Sequence, residues 1–164
     1  MGAARYDLER TIMATRRYHL KLARWTVVRE SGTPSPRTLN SPAAAAELAR
    51  DLLREHDDDK EHFWAIFVNA QNHYLLHTLV STGTQSASLV HARDVLGPAL
   101  REGASGVILI HNHPSGDPTP SREDLRLTRQ LVDGAKLLDL RVLDHVVIGN
   151  GTGAWVSMAE RGQM

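Results

Sequence analysis

The chain has 164 residues, 19 basic against 19 acidic side chains, nine histidines and no cysteine. That length suits one domain with a real core. The charge balance provides no general field for nucleic acid, and the lack of cysteine excludes disulfides and a thiolate-rich zinc site.

No run of about 18 apolar residues occurs, so no membrane-spanning helix is expected. The opening "MGAARYDLERTIMATRRYH" lacks the apolar centre of a secretory signal and the Ser or Thr of a myristoylation pattern. A soluble, cytoplasmic protein is expected, with a limited basic patch in "RRYHLKLARWTVVR".

Residues 1–17 have weak helical periodicity and read as a mobile leader. In "YHLKLARWTVV", Tyr18, Leu20 and Leu22 alternate with His19 and Lys21, as in a strand. "SGTPSPRTLNSP" is a loop by composition. "SPAAAAELARDLLRE" then has Ser41 as a cap and Pro42 at the first helical position, and predicts a helix ending near "HDDDK". "FWAIFV" (63–68) is apolar on both faces, as in a central strand. "NAQN" turns the chain and "HYLLHTLVSTG" returns it as a hairpin.

"HARDVLGPALREG" predicts a helix interrupted near Gly97-Pro98 and stopped at Gly103. "GVILI" is a buried strand. After it, Leu125, Thr128, Leu131, Ala135 and Leu138 mark the inner face of a helix. "RVLDHVVIG" is a further strand and "AWVSM" a short last one. The order is that of a single mixed-sheet α/β domain with helices packed against the sheet.

The stretch with chemistry is "HNHPSGDPTPSRED", residues 111–124. In a strand, residues two apart share a face, so His111 and His113 point the same way if "GVILI" continues through them. Two imidazoles on one rigid edge make half of a tetrahedral metal site. Pro114, Pro118, Pro120 and Gly116 stiffen the connection back over the strand end. Ser121 opens the next helix with Asp124 three residues on, where a carboxylate can close a His, His, Asp set and leave a fourth position open. The same Ser-x-x-Asp also reads as a capping box with no metal at all. Asp117 competes with Asp124 as a ligand on the residues alone.

His-x-His, seven intervening residues, then Ser-x-x-Asp resembles the JAMM motif of the JAB/MPN metalloprotease superfamily. "HNHPSGDPTPS" with "LDHVVIG" resembles its RadC-like branch over roughly residues 60–164. The literal string His-Asn-His is a false friend, because HNH nucleases take their name from dispersed residues of a ββα-metal unit.

The resemblance implies an MPN (JAB)-type domain over 43–164, preceded by a leader and strand over 1–42. It implies Zn2+ held by His111, His113 and Asp124, with Ser121 hydrogen-bonding the water or the developing oxyanion. Glu61 stands where the family has its general base; read from the residues alone, it closes the "DDDKE" turn. The implied activity is that of a JAMM-type zinc metallopeptidase or isopeptidase acting on a peptide or protein. The alternative is a DNA-repair or mobile-element accessory protein whose domain acts mainly in binding, and the neutral charge argues for weak or no nucleic-acid binding.

"HARD" departs from the family's "HPRE" wording at Ala92 and Asp94, which counts against any role resting on that Pro or Glu but not against the zinc triad. Glu102 and Glu123 read as solvated helix positions. His73 and His77 lie in a strand-like pattern and do not form a second metal site. Asp144 and His145 interrupt an apolar strand; a structural role or an orienting bond to a ligand's other nitrogen are the two readings. His91 admits the same pair. The apolar strands and Trp25 could support a homodimer.

Overall fold

The computed structural model describes residues 37–57, 59–83 and 90–164. The strand expected around residues 18–28 and the leader before it lie outside the described residues. Helix α1 (Pro42–Leu53) is followed by β1 (Glu61–Val68), β2 (Tyr74–Gly83), α2 (Ala92–Arg101), β3 (Gly106–His113), α3 (Arg122–Lys136), β4 (Arg141–Gly149) and β5 (Trp155–Ser157). The five strands form one sheet in the order β2-β1-β3-β4-β5. Pairing is antiparallel except between β3 and β4, which run parallel with α3 as the crossover. This is the mixed-sheet α/β domain expected.

Alternation along the central strands builds two cores, one on each face. Phe63, Ala65, Phe67, Val107 and Leu109 pack with Val95, Leu96, Leu127 and Leu131 of α2 and α3. Trp64, Ile66, Val68, Ile108 and Ile110 point the other way, against Ala45, Ala46, Leu48, Ala49 and Leu52 of α1. A strand covered on both faces has no polar side, which explains why β1 and β3 read as unbroken apolar runs. Leu39, four residues before the boundary expected at 43, is already buried in the α1-side core.

Local signals set the element ends. Ser41 caps α1 by accepting from the Ala44 amide, with Pro42 in the first turn. In the β1–β2 turn, Asn69 Oδ1 accepts from the amides of Gln71 and His73, and Asn72 takes a left-handed φ of 57°.

Three expectations need correction. β1 begins at Glu61, two residues earlier than read. α2 runs through Gly97 and Pro98 without interruption, because Val95, Leu96 and Ala99 on either side of the proline are buried against the sheet. The buried face of α3 is Asp124, Leu127, Thr128, Leu131 and Ala135, not one containing Leu125 and Leu138. The helix ends at Lys136, so Leu138 falls in the following turn, 41% exposed.

Among the described residues, no helix is long and apolar enough to cross a membrane.

Candidate metal centre

β3 does persist through its histidines, ending at His113. His111 and His113 therefore project from the same face, the one that carries α3. The loop after them folds back over the end of β4. Gly116, at φ 83°, accepts a bond from Thr152 Oγ1, and the Gly116 carbonyl lies 2.1 Å from where a Cβ on Gly149 would stand. Only glycine at 149 lets the loop pass that close. The His113 carbonyl takes the amides of Gly116 and Asn150, which ties the loop to the strand end.

The loop delivers the chain to α3 through a complete capping box. Ser121 Oγ accepts from the Asp124 amide at 3.1 Å, and Asp124 Oδ2 accepts from the Ser121 amide at 2.7 Å. The capping box is thus formed, and it leaves the same carboxylate facing both imidazoles. Its Oδ1 lies 3.3 Å from His111 Nε2 and its Oδ2 lies 3.5 Å from His113 Nε2. The two Nε2 atoms are 2.9 Å apart. One ligand atom from each of the three residues lies within 4.8 Å of the other two, an arrangement that could hold a metal ion. His111 and Asp124 are nearly sealed, whereas the His113 side chain is 14% exposed, so the group opens to solvent on that side.

Hydrogen-bond directions assign the imidazole tautomers. Thr128 Oγ1 donates to the Asp124 carbonyl at 2.6 Å, leaving it to accept from His145 Nδ1, also at 2.6 Å. His145 is wholly buried, and that burial, followed by the charge of His111, holds its pKa well below the usual range; it is neutral. Its proton being on Nδ1, its Nε2 accepts from His111 Nδ1 at 2.8 Å. His113 Nδ1 donates to the Asp117 carbonyl at 2.7 Å. With both Nδ1 atoms engaged as donors, the Nε2 atoms of His111 and His113 are the ones left facing the Asp124 carboxylate, and in the neutral imidazoles they would present bare electron pairs there. Three such donors repel one another unless a shared cation sits among them, and imidazole with carboxylate is a set that divalent metals accept.

Without a metal ion, hydrogen bonds from the imidazoles to Asp124 take the place of the cation. Burial alone would raise the Asp124 pKa, but bonds from His111 and His113 outweigh it and hold the carboxyl well below the carboxylate range. The His113 imidazole is pushed up, chiefly by its bond to Asp124 and with a smaller contribution from the charge of Glu61.

Glu61 is thus near the group. The β1–β3 ladder ends at the pair Phe63 and His111, and two residues beyond it strand alternation puts Glu61 and His113 on the same face as that pair. Phe63 stacks on His111 at 6.1 Å between centroids and meets His145 edge-on at 5.4 Å, so it packs against both rings. Asp117 is not part of the group: its Oδ1 accepts from the Thr119 amide and closes the loop on itself. Glu123 stands exposed against Arg126, and His91 begins α2 with no capping bond. Asp144 is structural, with Oδ2 accepting from Ser157 Oγ and Oδ1 from the amides of His145 and Ala159.

Thr128 was legible only as a helix-face residue; its signal was a hydroxyl on an otherwise apolar face. Thr128→Val removes the acceptor for His145 Nδ1–H and leaves that donor buried and unpaired. His145 then gains by moving its proton to Nε2, which turns His111 to the wrong tautomer for a ligand. Metal affinity is expected to fall about 10–100-fold, the usual effect of losing an outer hydrogen-bond partner, and Thr128→Ser should restore it. Titration calorimetry with zinc on both variants makes the comparison; equal affinities for wild type and Thr128→Val would dismiss the relay.

A mixed sheet with a His, His, Asp group where a central strand passes into the next helix defines an α/β domain with a candidate metal centre. The chain belongs to the RadC-like JAB domain family, whose model matches residues 39–163. It is 47% identical over 125 residues to a UPF0758 protein of Caldanaerobacter subterraneus subsp. tengcongensis, covering 76% of this chain and 52% of that one. Similar relatives are UPF0758 proteins of Desulfitobacterium hafniense, 44% identical over 124 residues (76% of this chain, 53% of the relative), and of Methanosarcina mazei, 43% over 126 residues (77% and 53%). The chain spans about half the length of the curated relatives it matches.

Proposed function

We propose that the domain is a zinc-dependent hydrolase that cleaves an amide bond of a peptide or protein, as a metallopeptidase or isopeptidase. The observation that carries this reading is the convergence of His111, His113 and Asp124, with the charge of a separate carboxylate, Glu61, acting on His113. His111, His113 and Asp124 would hold the ion. Zinc bound there would supply Lewis acidity, polarising a carbonyl and lowering the pKa of water from about 16 towards ~7.

The chain's own groups supply the rest. Glu61 takes a proton from the attacking water as its oxygen bonds to the carbonyl carbon. The same carboxyl then gives that proton to the amine as the C–N bond breaks. Ser121 Oγ accepts at the helix cap and keeps its O–H proton, which it directs to the oxygen on which charge develops. The buried His145–His111 bond and the His113–Asp117 bond hold both imidazoles in place throughout.

The test is metal analysis of the purified protein joined to cleavage of a mixed peptide library. One zinc per chain is expected, with cleavage lost on chelation and regained with zinc. A protein loaded with one zinc that cut no member of peptide or isopeptide libraries would remove the hydrolase reading.

A further inference from the structure

The middle residue of His-Asn-His lies on the other face of the sheet from its neighbours, and its side chain is wholly buried. Asn112 Oδ1 accepts from the His62 amide at 2.8 Å, and its Nδ2 donates to the Lys60 carbonyl at 2.9 Å. These two backbone groups flank Glu61. Backbone pairing between β1 and β3 stops at Phe63 and His111, so past that point the Asn112 amide takes over the work of the ladder.

We propose that Asn112 is a positioning residue for Glu61. The inference rests on the proposed role of Glu61 and adds the device that holds it. Residue 61 is paired with Gly83 of β2 on one side, but on the side of β3 the ladder has already ended. Here both peptide groups around it are clamped by one amide, which fixes the direction in which the intervening Cβ leaves the backbone.

His62 reinforces the clamp on the far face. Its Nδ1 meets Thr82 Oγ1 at 3.1 Å and its Nε2 meets the Asp57 carbonyl at 3.0 Å. With residue 62 anchored on the α1 face, strand alternation sends Glu61 to the α3 face, towards His113. An amide is required because one side chain must both accept and donate. Ala makes neither bond, and an aspartate keeps the acceptor while losing the dependable donor. The tripeptide therefore serves two faces at once, with two imidazoles for the cation on one and a brace for the base on the other.

The experiment uses the full chain loaded with zinc, as Asn112→Ala and Asn112→Asp beside wild type. Zinc content should stay at one per chain in both. Nuclear Overhauser contacts between the Glu61 side chain and the His113 ring should weaken in Asn112→Asp and vanish in Asn112→Ala. Turnover on the peptide library should fall about 100-fold in Asn112→Ala, the scale set by a misplacement of about 1 Å. In a Glu61→Gln background the same substitution should cost under about twofold, because both changes remove one function. Contacts that persist in both variants, or effects that multiply in the double variant, overturn the proposal. So does loss of zinc from Asn112→Asp, which would make the residue a support for the donors instead. If Asn112→Ala does not fold, the aspartate variant carries the comparison. Should wild type cleave nothing, the contacts still decide for or against the clamp, separately from the hydrolase reading.

Discussion

Glu61→Gln is expected to keep one zinc per chain and to lose about 10²–10⁴-fold in turnover, the usual contribution of a positioned general base. Glutamine has the size of glutamate and keeps an oxygen acceptor, so the strand start and the bonds of Asn112 to Lys60 and His62 are undisturbed. It cannot take a proton. The metal should stay because the three donors lie elsewhere, two on β3 and one in the first turn of α3. Zinc content by mass spectrometry and kcat/KM on a cleaved peptide are measured on the same sample. Full activity in this variant would show that another group accepts the proton, and loss of zinc would show that Glu61 is a ligand.

The site was legible because its information is local. His111 and His113 need only the period of a strand to share a face, and Ser121 with Asp124 needs only the spacing of a capping box. What the sequence could not show was which of two local readings applies where both fit. At Asp124 the two are compatible: one oxygen of the carboxylate closes the box and both face the imidazoles. That double use also explains the misplaced face of α3. Taking Leu125 as the first inner residue made Asp124 a rim position. In the structure Asp124 itself is inner, and the stripe turns with it to Leu127, Thr128, Leu131 and Ala135. The continuity of α2 was hidden for a different reason. A proline removes a local hydrogen bond, whereas the burial that carries the helix past Pro98 comes from strands distant in sequence. Asn112 was the hardest to read, since its partners lie 50 and 52 residues away and its neighbours are the more conspicuous histidines.

Asp124 can be tested so that its two duties separate. Asp124→Ala removes the carboxylate and its half of the capping box together; Asp124→Asn keeps an oxygen that can accept from the Ser121 amide but removes the negative donor. Both should lose zinc, by at least about 100-fold in affinity, since outer partners alone are worth ~10–100-fold. Only Asp124→Ala should also lose the bond from the Ser121 amide, the reciprocal half of the capping box, at about 1 kcal/mol of metal-free stability, while Ser121 Oγ keeps the amide of residue 124.

The pH dependence gives a second handle. The folded carboxyl titrates well below its unfolded value of about 3.9, so its contribution to stability is present above that pH and fades as pH falls through the folded value. The raised His113 works in the opposite direction: its contribution is present below about 6.5 and fades as pH rises through the folded value. Metal-free wild type should therefore exceed Asp124→Asn most near pH 5, and the gap should narrow towards both ends. Zinc should raise the melting temperature of wild type in proportion to its occupancy, and do so more strongly at pH 8 than at pH 6, where His113 must first give up a proton. Melting curves of the three proteins with and without zinc at those pH values settle the matter. A zinc-induced shift of wild-type size in Asp124→Asn would mean that the carboxylate is a helix cap and nothing more.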